Sequence, residues 1–372
     1  MTGNPADRAG AILEIDLAGI VANWRLLAQR VRPVQCAAVV KADAYGLGAM
    51  RVAPALAEAG CQRFFVASIE EGVALRSILP ESVEIAVFNG LPRGCAQDLT
   101  EFRLIPVLND PGQIAEWRSA AEKHGGGAAI LHLDTGMARL GLTLHEFEAI
   151  AEELVHSGPI RWRALISHLV CSDEPQHPIN RIQLERFIAA KRRLAHLPAS
   201  LAASSGLFLG PQYYFDFVRP GAALYGVNPQ PGGPNPMRQV VRLKGKILQT
   251  REVDPGETVG YGATHVMAGP GRLATVAVGY ADGWLRSFSQ RGSGRVGGSR
   301  VPLLGRVSMD LIVFDVSDVD PALARPGCFV ELLDEDYGVD AAAADAGTIG
   351  YEILTALGRR YHRIYCGSPY QC

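Results

Sequence analysis

Through its first 220 residues this sequence alternates short apolar, β-rich runs with amphipathic stretches, and that alternation constrains the fold more than any other feature. The runs fall near residues 36–41, 63–67, 83–88, 104–107, 128–133, 163–168, 199–202 and 216–219. Between them lie helical patterns such as Asp110–His124, His145–Ser157 and Ile179–His196. In the last of these Ile179, Ile182, Phe187 and Leu194 are apolar points among Arg, Gln and Lys, which predicts a helix with one wet face. Eight strand–helix units predict a parallel (β/α)8 barrel, an α/β architecture of about 250 residues. A doubly wound sheet, with fewer strands and one dominant glycine-rich phosphate turn, ranks second.

The pattern ends at Asn228-Pro229-Gln230-Pro231-Gly232-Gly233-Pro234-Asn235-Pro236, where repeated prolines and glycines can extend neither a helix nor a ladder. Strand-like runs follow at Val240–Thr250, Arg272–Val278, Val301–Leu304 and Leu311–Val316, divided by turns such as Asp254-Pro255-Gly256. The expectation is a barrel over residues 12–235 and a mostly β domain over 236–372. The early run Ala11–Ile15, within 1–16, is expected to pair with the second domain. A chain of 372 residues fits two domains. Its net charge of −2 gives no basic footprint, which argues against a nucleic-acid partner. No apolar stretch approaches the ~20 residues that span a bilayer, and Met1–Arg8 lacks the basic and apolar regions of a signal peptide. The seven cysteines show neither metal-ligand pairing nor a disulfide framework. A cytoplasmic protein without a metal is the expectation.

Catalytic groups in a barrel collect where the strands end. Lys41 closes the apolar run Ala37-Ala38-Val39-Val40, a position where desolvation favours a neutral amine able to form a Schiff base. Arg139 follows the fifth run, His168 ends the sixth, Ser204 follows the seventh, and Arg219 ends the eighth. Each has a plainer structural reading. Lys41 could snorkel to the rim, His168 could be a satisfied core histidine, and Arg139 and Arg219 could form rim salt bridges. Ser204 could cap a helix, and Tyr261, in Gly260-Tyr261-Gly262, could be a hairpin aromatic. Their shared placement at one barrel end favours a site.

The segment Val39-Val40-Lys41-Ala42-Asp43-Ala44-Tyr45-Gly46-Leu47-Gly48 resembles the cofactor-lysine motif of the alanine racemase family. Further matches are Asp134–Gly141, Ser167-His168, Val218–Gly226, Val259–Ala263, Val278–Trp284, Gly305–Asp310 and Thr348–Glu352, so the resemblance runs from about residue 11 to residue 365. It implies pyridoxal 5'-phosphate (PLP) on Lys41, and Tyr261 as a second acid/base on the opposite face of the substrate Cα. It also implies that Tyr261 acts in the partner subunit's site, which makes a homodimer obligatory. By the same resemblance Tyr45, Ser204, Gly221, Ala222 and Tyr351 hold the cofactor phosphate. Arg139 and the Met309 amide, the latter again from the partner, hold the carboxylate of an amino-acid substrate. Tyr280 and Asp310 line the entrance. His168 contacts the ring and links Tyr261 to Arg219.

Chemistry supports this division of tasks. Helix starts and hydroxyls at Ser204-Ser205-Gly206 and Pro220-Gly221-Ala222 suit a phosphate. An arginine facing the pyridine nitrogen keeps it unprotonated, which favours returning a proton to Cα over transamination. Racemisation needs acid/base groups on both faces. A free phenol loses its proton near pH ~10, so Tyr261 would need a nearby cation or a relay through His168 to Arg219.

Two positions depart from the family pattern. His132 stands where many relatives carry a carbamylated lysine that orients the arginine, so Arg139 is expected to be held by an imidazole, an anion or a carboxylate. Ala203 replaces an asparagine beside the phosphate serine, a loss of about 0.5–1.5 kcal/mol for one hydrogen bond. The implied activity is interconversion of L- and D-alanine for peptidoglycan. The alternatives are a racemase of serine or of a broader amino-acid range, and a non-catalytic PLP-binding protein.

Overall fold

The computed structural model describes residues 5–123, 126–155 and 158–367. The expected helix ends at His124 and Ser157, and residues 1–4 and 368–372 of the expected β domain, lie outside these. The chain forms two compact units. One comprises Ile20–Leu224 with Asn228–Met237; the other comprises Met1–Gly19, Tyr225–Val227 and Arg238–Cys372.

In the first unit seven parallel strands neighbour one another in sequence order: Ala38–Val39, Arg63–Val66, Glu84–Val87, Ile105–Leu108, Gly127–His132, Ile160–Ile166 and Ala199–Ser200. The eighth, Phe217–Val218, pairs in parallel with Gln35–Cys36, and Ala203 bridges to Arg219. Ala37 N–H donates to Val218 O at 3.0 Å and Val39 N–H to Pro220 O at 2.9 Å, so the last strand meets the first. All eight expected runs carry a strand. Covered on both faces, parallel strands read as continuous apolar runs, and every residue of Ile105–Leu108 is buried.

Helix Pro178–Arg193 departs from its sequence pattern. Ile182 is 40% exposed whereas Gln183 is 0% exposed, so a glutamine faces inward where a wet face was expected. Burial is tolerated because every polar atom of its amide is bonded. Gln183 Nε2 donates to Thr135 Oγ1 and His168 O, and its Oε1 accepts from Val170 N–H.

The second unit is built on an eight-stranded sheet in the order Gly271–Val276, Ile312–Asp315, Ser299–Leu304, Ser293–Val296, Phe329–Leu333, Val241–Val253, Ala11–Asp16 and His362–Cys366. Ala11–Asp16 lies antiparallel to Val241–Val253 and parallel to His362–Cys366. Its Leu13 and Ile15 are fully buried. With both edges paired there, this strand belongs to the β unit, and the barrel unit starts at Ile20 rather than at residue 12. The proline-rich segment groups with the barrel through Met237, two residues past the expected boundary. Within it Asn228 Nδ2 donates to Gly233 O at 2.9 Å, folding the segment on itself. Three strands lacked a clear sequence signal. Ser293–Val296 has one apolar strand former, and His362–Cys366 is half-buried at every position, which erases the alternation. Phe329–Leu333 is short and interrupted by Glu331.

At Gly245, in the long strand Val241–Val253, an added Cβ would meet Val276 Cγ1 at 2.5 Å and Val278 Cγ2 at 2.9 Å. Gly245→Val is therefore expected to destabilise the β unit by about 1–3 kcal/mol, the usual cost of overpacking. Urea unfolding followed by circular dichroism reads this as a lower midpoint.

Candidate active site

Lys41 stands two residues beyond its short strand and opens a backbone turn of unusual hand. Ala42, Asp43, Ala44 and Tyr45 have φ of 52°, 54°, 55° and 55°, four successive non-glycine residues in the left-handed region. Each costs about 1–2 kcal/mol relative to right-handed geometry, so the surrounding bonds must compensate. Ala44 N–H donates to Val40 O at 2.9 Å and Gly46 N–H to Ala42 O at 2.7 Å. Asp43 Oδ1 accepts from Ala49 N–H at 2.7 Å. Gly46 and Gly48 only complete a turn that begins with alanines and an aspartate. Burial holds the Lys41 ammonium below its usual range, Arg139 lowers it further, and Glu71 opposes both.

Ser204 begins a short 3-10 turn, yet its side chain does not cap it. The buried Oγ instead accepts from Gly221 N–H at 3.0 Å and Ala223 N–H at 3.2 Å. With both lone pairs engaged, the hydroxyl can act only as a donor toward a ligand. A Cβ on Gly221 would lie 2.3 Å from Tyr45 Oη, so only glycine permits this close approach. Hydroxyls and backbone N–H groups meet here without a carboxylate among the contacts, a donor set that fits a phosphate.

Arg219 is buried and forms no rim salt bridge; its acceptors are neutral. Nε donates to Ser200 Oγ at 3.0 Å, and Nη2 donates to Ser167 O and, at 3.3 Å, to Leu201 O. Burial pulls its pKa to about 10, which still leaves a cation at neutral pH. Its Nη1 has no acceptor among the described residues and is left for a ligand.

His132 lies 2.7 Å from Asn109 Oδ1 through Nδ1. The Asn109 amide nitrogen donates to Phe88 O and Val107 O, so its oxygen must accept and Nδ1 of His132 carries the proton. Nε2 is then an acceptor. Burial, followed by the field of Arg219, pulls His132 to about 4. His168 falls to about 3 through burial, then Arg219 and Arg139. Both imidazoles are neutral at pH 7.

Arg139 is exposed and makes no hydrogen bond or ion pair among the described residues. The carboxylate nearest in sequence, Asp134, accepts from Gly136, Met137 and Ala138 N–H at 2.7–2.8 Å and thereby shapes the loop that carries Arg139. Of the three groups expected to hold Arg139, the structure offers a neutral imidazole in His132 and commits Asp134 to the backbone.

The remaining expected residues belong to the β unit. Tyr261 is 73% exposed at the tip of the hairpin formed by Thr258–Val259 and His265–Val266. Val259 and Met267 anchor that hairpin in a cluster with Val253, Leu273 and Leu304. Tyr280 N–H and Ala281 N–H donate to Ser308 O and Met309 O, both at 3.0 Å, joining two exposed loops. Met309 N–H has no acceptor among the described residues. Asp310 pairs with Arg360 at 2.6 Å, and Tyr351 is exposed on the helix Gly350–Ala356. Three site neighbours escaped the sequence reading: Glu71, Asn109 and Gln183. Each also bonds a group distant in sequence, Ala42 for Glu71, His132 for Asn109 and His168 for Gln183, and no local pattern signals that.

The family model for the alanine racemase N-terminal domain matches residues 15–229, and that for the C-terminal domain matches 240–365. An alanine racemase of Rhodospirillum rubrum is 51% identical over 97% of both chains. A catabolic alanine racemase of Mesorhizobium japonicum is 48% identical over 99% of this chain and 97% of its own. Among solved structures, the alanine racemase of Bartonella henselae with covalently bound pyridoxal phosphate superposes with a TM-score of 0.91 at 43% identity. It covers 96% of this chain and 99% of its own. That of Streptomyces coelicolor gives 0.92 at 33%, covering 98% and 100%.

The neutral imidazoles carry a pH signature. From an ordinary value of 6.5, folded His132 and His168 take up protons only at about 4 and about 3. The unfolded chain therefore binds more protons in between. Stability is full above pH 6.5 and falls as the pH drops through that window, by at most about 1.4 kcal/mol per pH unit for each histidine. Urea midpoints at pH 7 and pH 5 should separate clearly in the native chain and less in His132→Gln and His168→Gln.

Proposed function

The chain belongs to the alanine racemase family, and from that premise we propose how its residues interconvert L- and D-alanine. It is a PLP-dependent amino-acid racemase. The carrying observation is one barrel mouth that holds a desolvated lysine, a donor-only anion cradle and a buried arginine bonded to neutral oxygens. Bound PLP supplies the conjugated, electron-withdrawing ring that makes the substrate Cα–H acidic.

Lys41 Nζ would hold the cofactor covalently and exchange a proton with one face of Cα. Its lowered affinity for a proton supports both tasks. Ser204, Gly221 and Ala222 at the barrel, with Tyr45 and Tyr351, hold the phosphate. Arg219 would offer N–H groups to the pyridine nitrogen of bound PLP, and its permanent charge would keep that nitrogen unprotonated. His168 would contact the ring as a neutral imidazole. Arg139 and the unpaired Met309 N–H of a second copy of the chain would hold the substrate carboxylate. His132 offers its Nε2 acceptor to Arg139, a task its fixed tautomer supports.

Tyr261 Oη exchanges the proton on the opposite face, supplied by a second copy of the chain. Its exposure at the hairpin tip, beside loops that also expose Tyr280 and Met309, supports an obligate homodimer with shared sites. Tyr280 and Asp310 line the entrance. Free thiols throughout the described cysteines fit a cytoplasmic location, and supply of D-alanine for peptidoglycan fits the bacterial relatives.

Deuterium incorporation at Cα in D2O tests the two-base reading. Lys41→Ala should abolish exchange. Tyr261→Phe should lose about 10²–10⁴-fold with one enantiomer and far less with the other. Equal losses for both enantiomers would favour a single base. Mixing the two inactive variants should restore activity through dimers with one intact site. Failure to do so, with subunit exchange verified, would refute the shared site.

A further inference from the structure

We propose that Glu71 is a positioning residue for the Lys41 amine, its carboxylate tying the left-handed turn after Lys41 to the end of the adjacent strand. Glu71 lies in the first turn of the helix Ile69–Arg76. Its Oε1 accepts from Ala42 N–H at 2.6 Å and its Oε2 from Ala67 N–H at 2.7 Å. Ala42 is the first left-handed residue of the turn, and Ala67 directly follows Arg63–Val66. That strand pairs with Ala38–Val39, which leads to Lys41. One carboxylate therefore bridges the backbones on both sides of the lysine's root, and it does so where four non-glycine residues hold an unfavourable conformation. Charge-assisted bonds to backbone N–H are among the stronger single contacts a side chain can make.

The same carboxylate acts on the amine electrostatically. Burial and the field of Arg139 oppose a proton on Lys41, and the Phe88 ring lies 5.9 Å from Nζ. Glu71 acts in the opposite sense and favours the ammonium form. Glutamine in its place would present an amide N–H to one of two backbone donors, so one of the two bonds is lost.

The inference rests on the assignment of Lys41 as the cofactor lysine, which borohydride reduction followed by peptide mapping tests separately. Label on another residue would overturn that assignment. For Glu71, amide hydrogen exchange on the PLP-loaded full-length protein should quicken about 10-fold or more at Ala42 or Ala67 in Glu71→Gln. In the same full chain stripped of PLP with hydroxylamine, the pH midpoint of Lys41 acylation by acetic anhydride should fall. Glu70→Gln removes an adjacent, exposed carboxylate and should change neither readout. If Glu71→Gln does not fold, Glu71→Asp, one methylene shorter, serves for the exchange measurement, and unchanged exchange in it overturns the proposal. Unchanged exchange and an unchanged acylation midpoint, or equal effects from Glu70→Gln, would overturn the proposal.

Discussion

Closure of the barrel is the constraint from which the site follows. The bonds from Ala37 to Val218 and from Val39 to Pro220 bring the strand leading to Lys41 against the one leading to Arg219 and Gly221. Residues far apart in sequence thereby become neighbours at one mouth. Tyr45 reaches the Gly221 backbone only because those two strands are paired, and a Cβ at that glycine would have no room. The intervening strands keep sequence order, so each crossover returns its strand end to the same mouth.

That mouth has a consistent electrostatic character. Lys41, Arg139 and Arg219 are cationic or poised to be, and none is ion-paired among the described residues. Their mutual repulsion, added to burial, keeps His132 and His168 neutral and weakens the proton on Lys41. Such an arrangement is costly unless opposite charge compensates it. It suits a ligand that brings its own negative charge, as a phosphate and a carboxylate would. Neutral acceptors around Arg219 keep its charge undiminished, whereas a carboxylate partner would have cancelled it.

Supporting contacts surround these groups and do not advertise themselves. Asn109 fixes the His132 tautomer through a chain of bonds to Phe88 and Val107, and Gln183 pins the backbone at His168. Glutamine and asparagine within amphipathic patterns are read as surface, and the exposed Ile182 beside the buried Gln183 shows why that reading fails. On that face Phe187 and Ala190 are buried as apolar residues, and hydrogen bonding let Asn180 and Gln183 join them. His132 stands in the same class: the sequence marks it as a departure from the family pattern, while its neutral state follows from burial and from arginines on other strands.

By itself the sequence determined the order of the eight barrel strands, the change to a β-rich second half, and the chemical identity of Lys41, Ser204, Arg219 and Tyr261. Hydrophobic periodicity and residue chemistry are local properties, so they survive in a one-dimensional string. Only the tertiary structure decided that Lys41 is followed by four left-handed residues, and that Ser204 serves Gly221 and Ala223 in preference to its own helix. Those outcomes depend on partners 17–29 residues away, where pairing geometry and burial outweigh local preference.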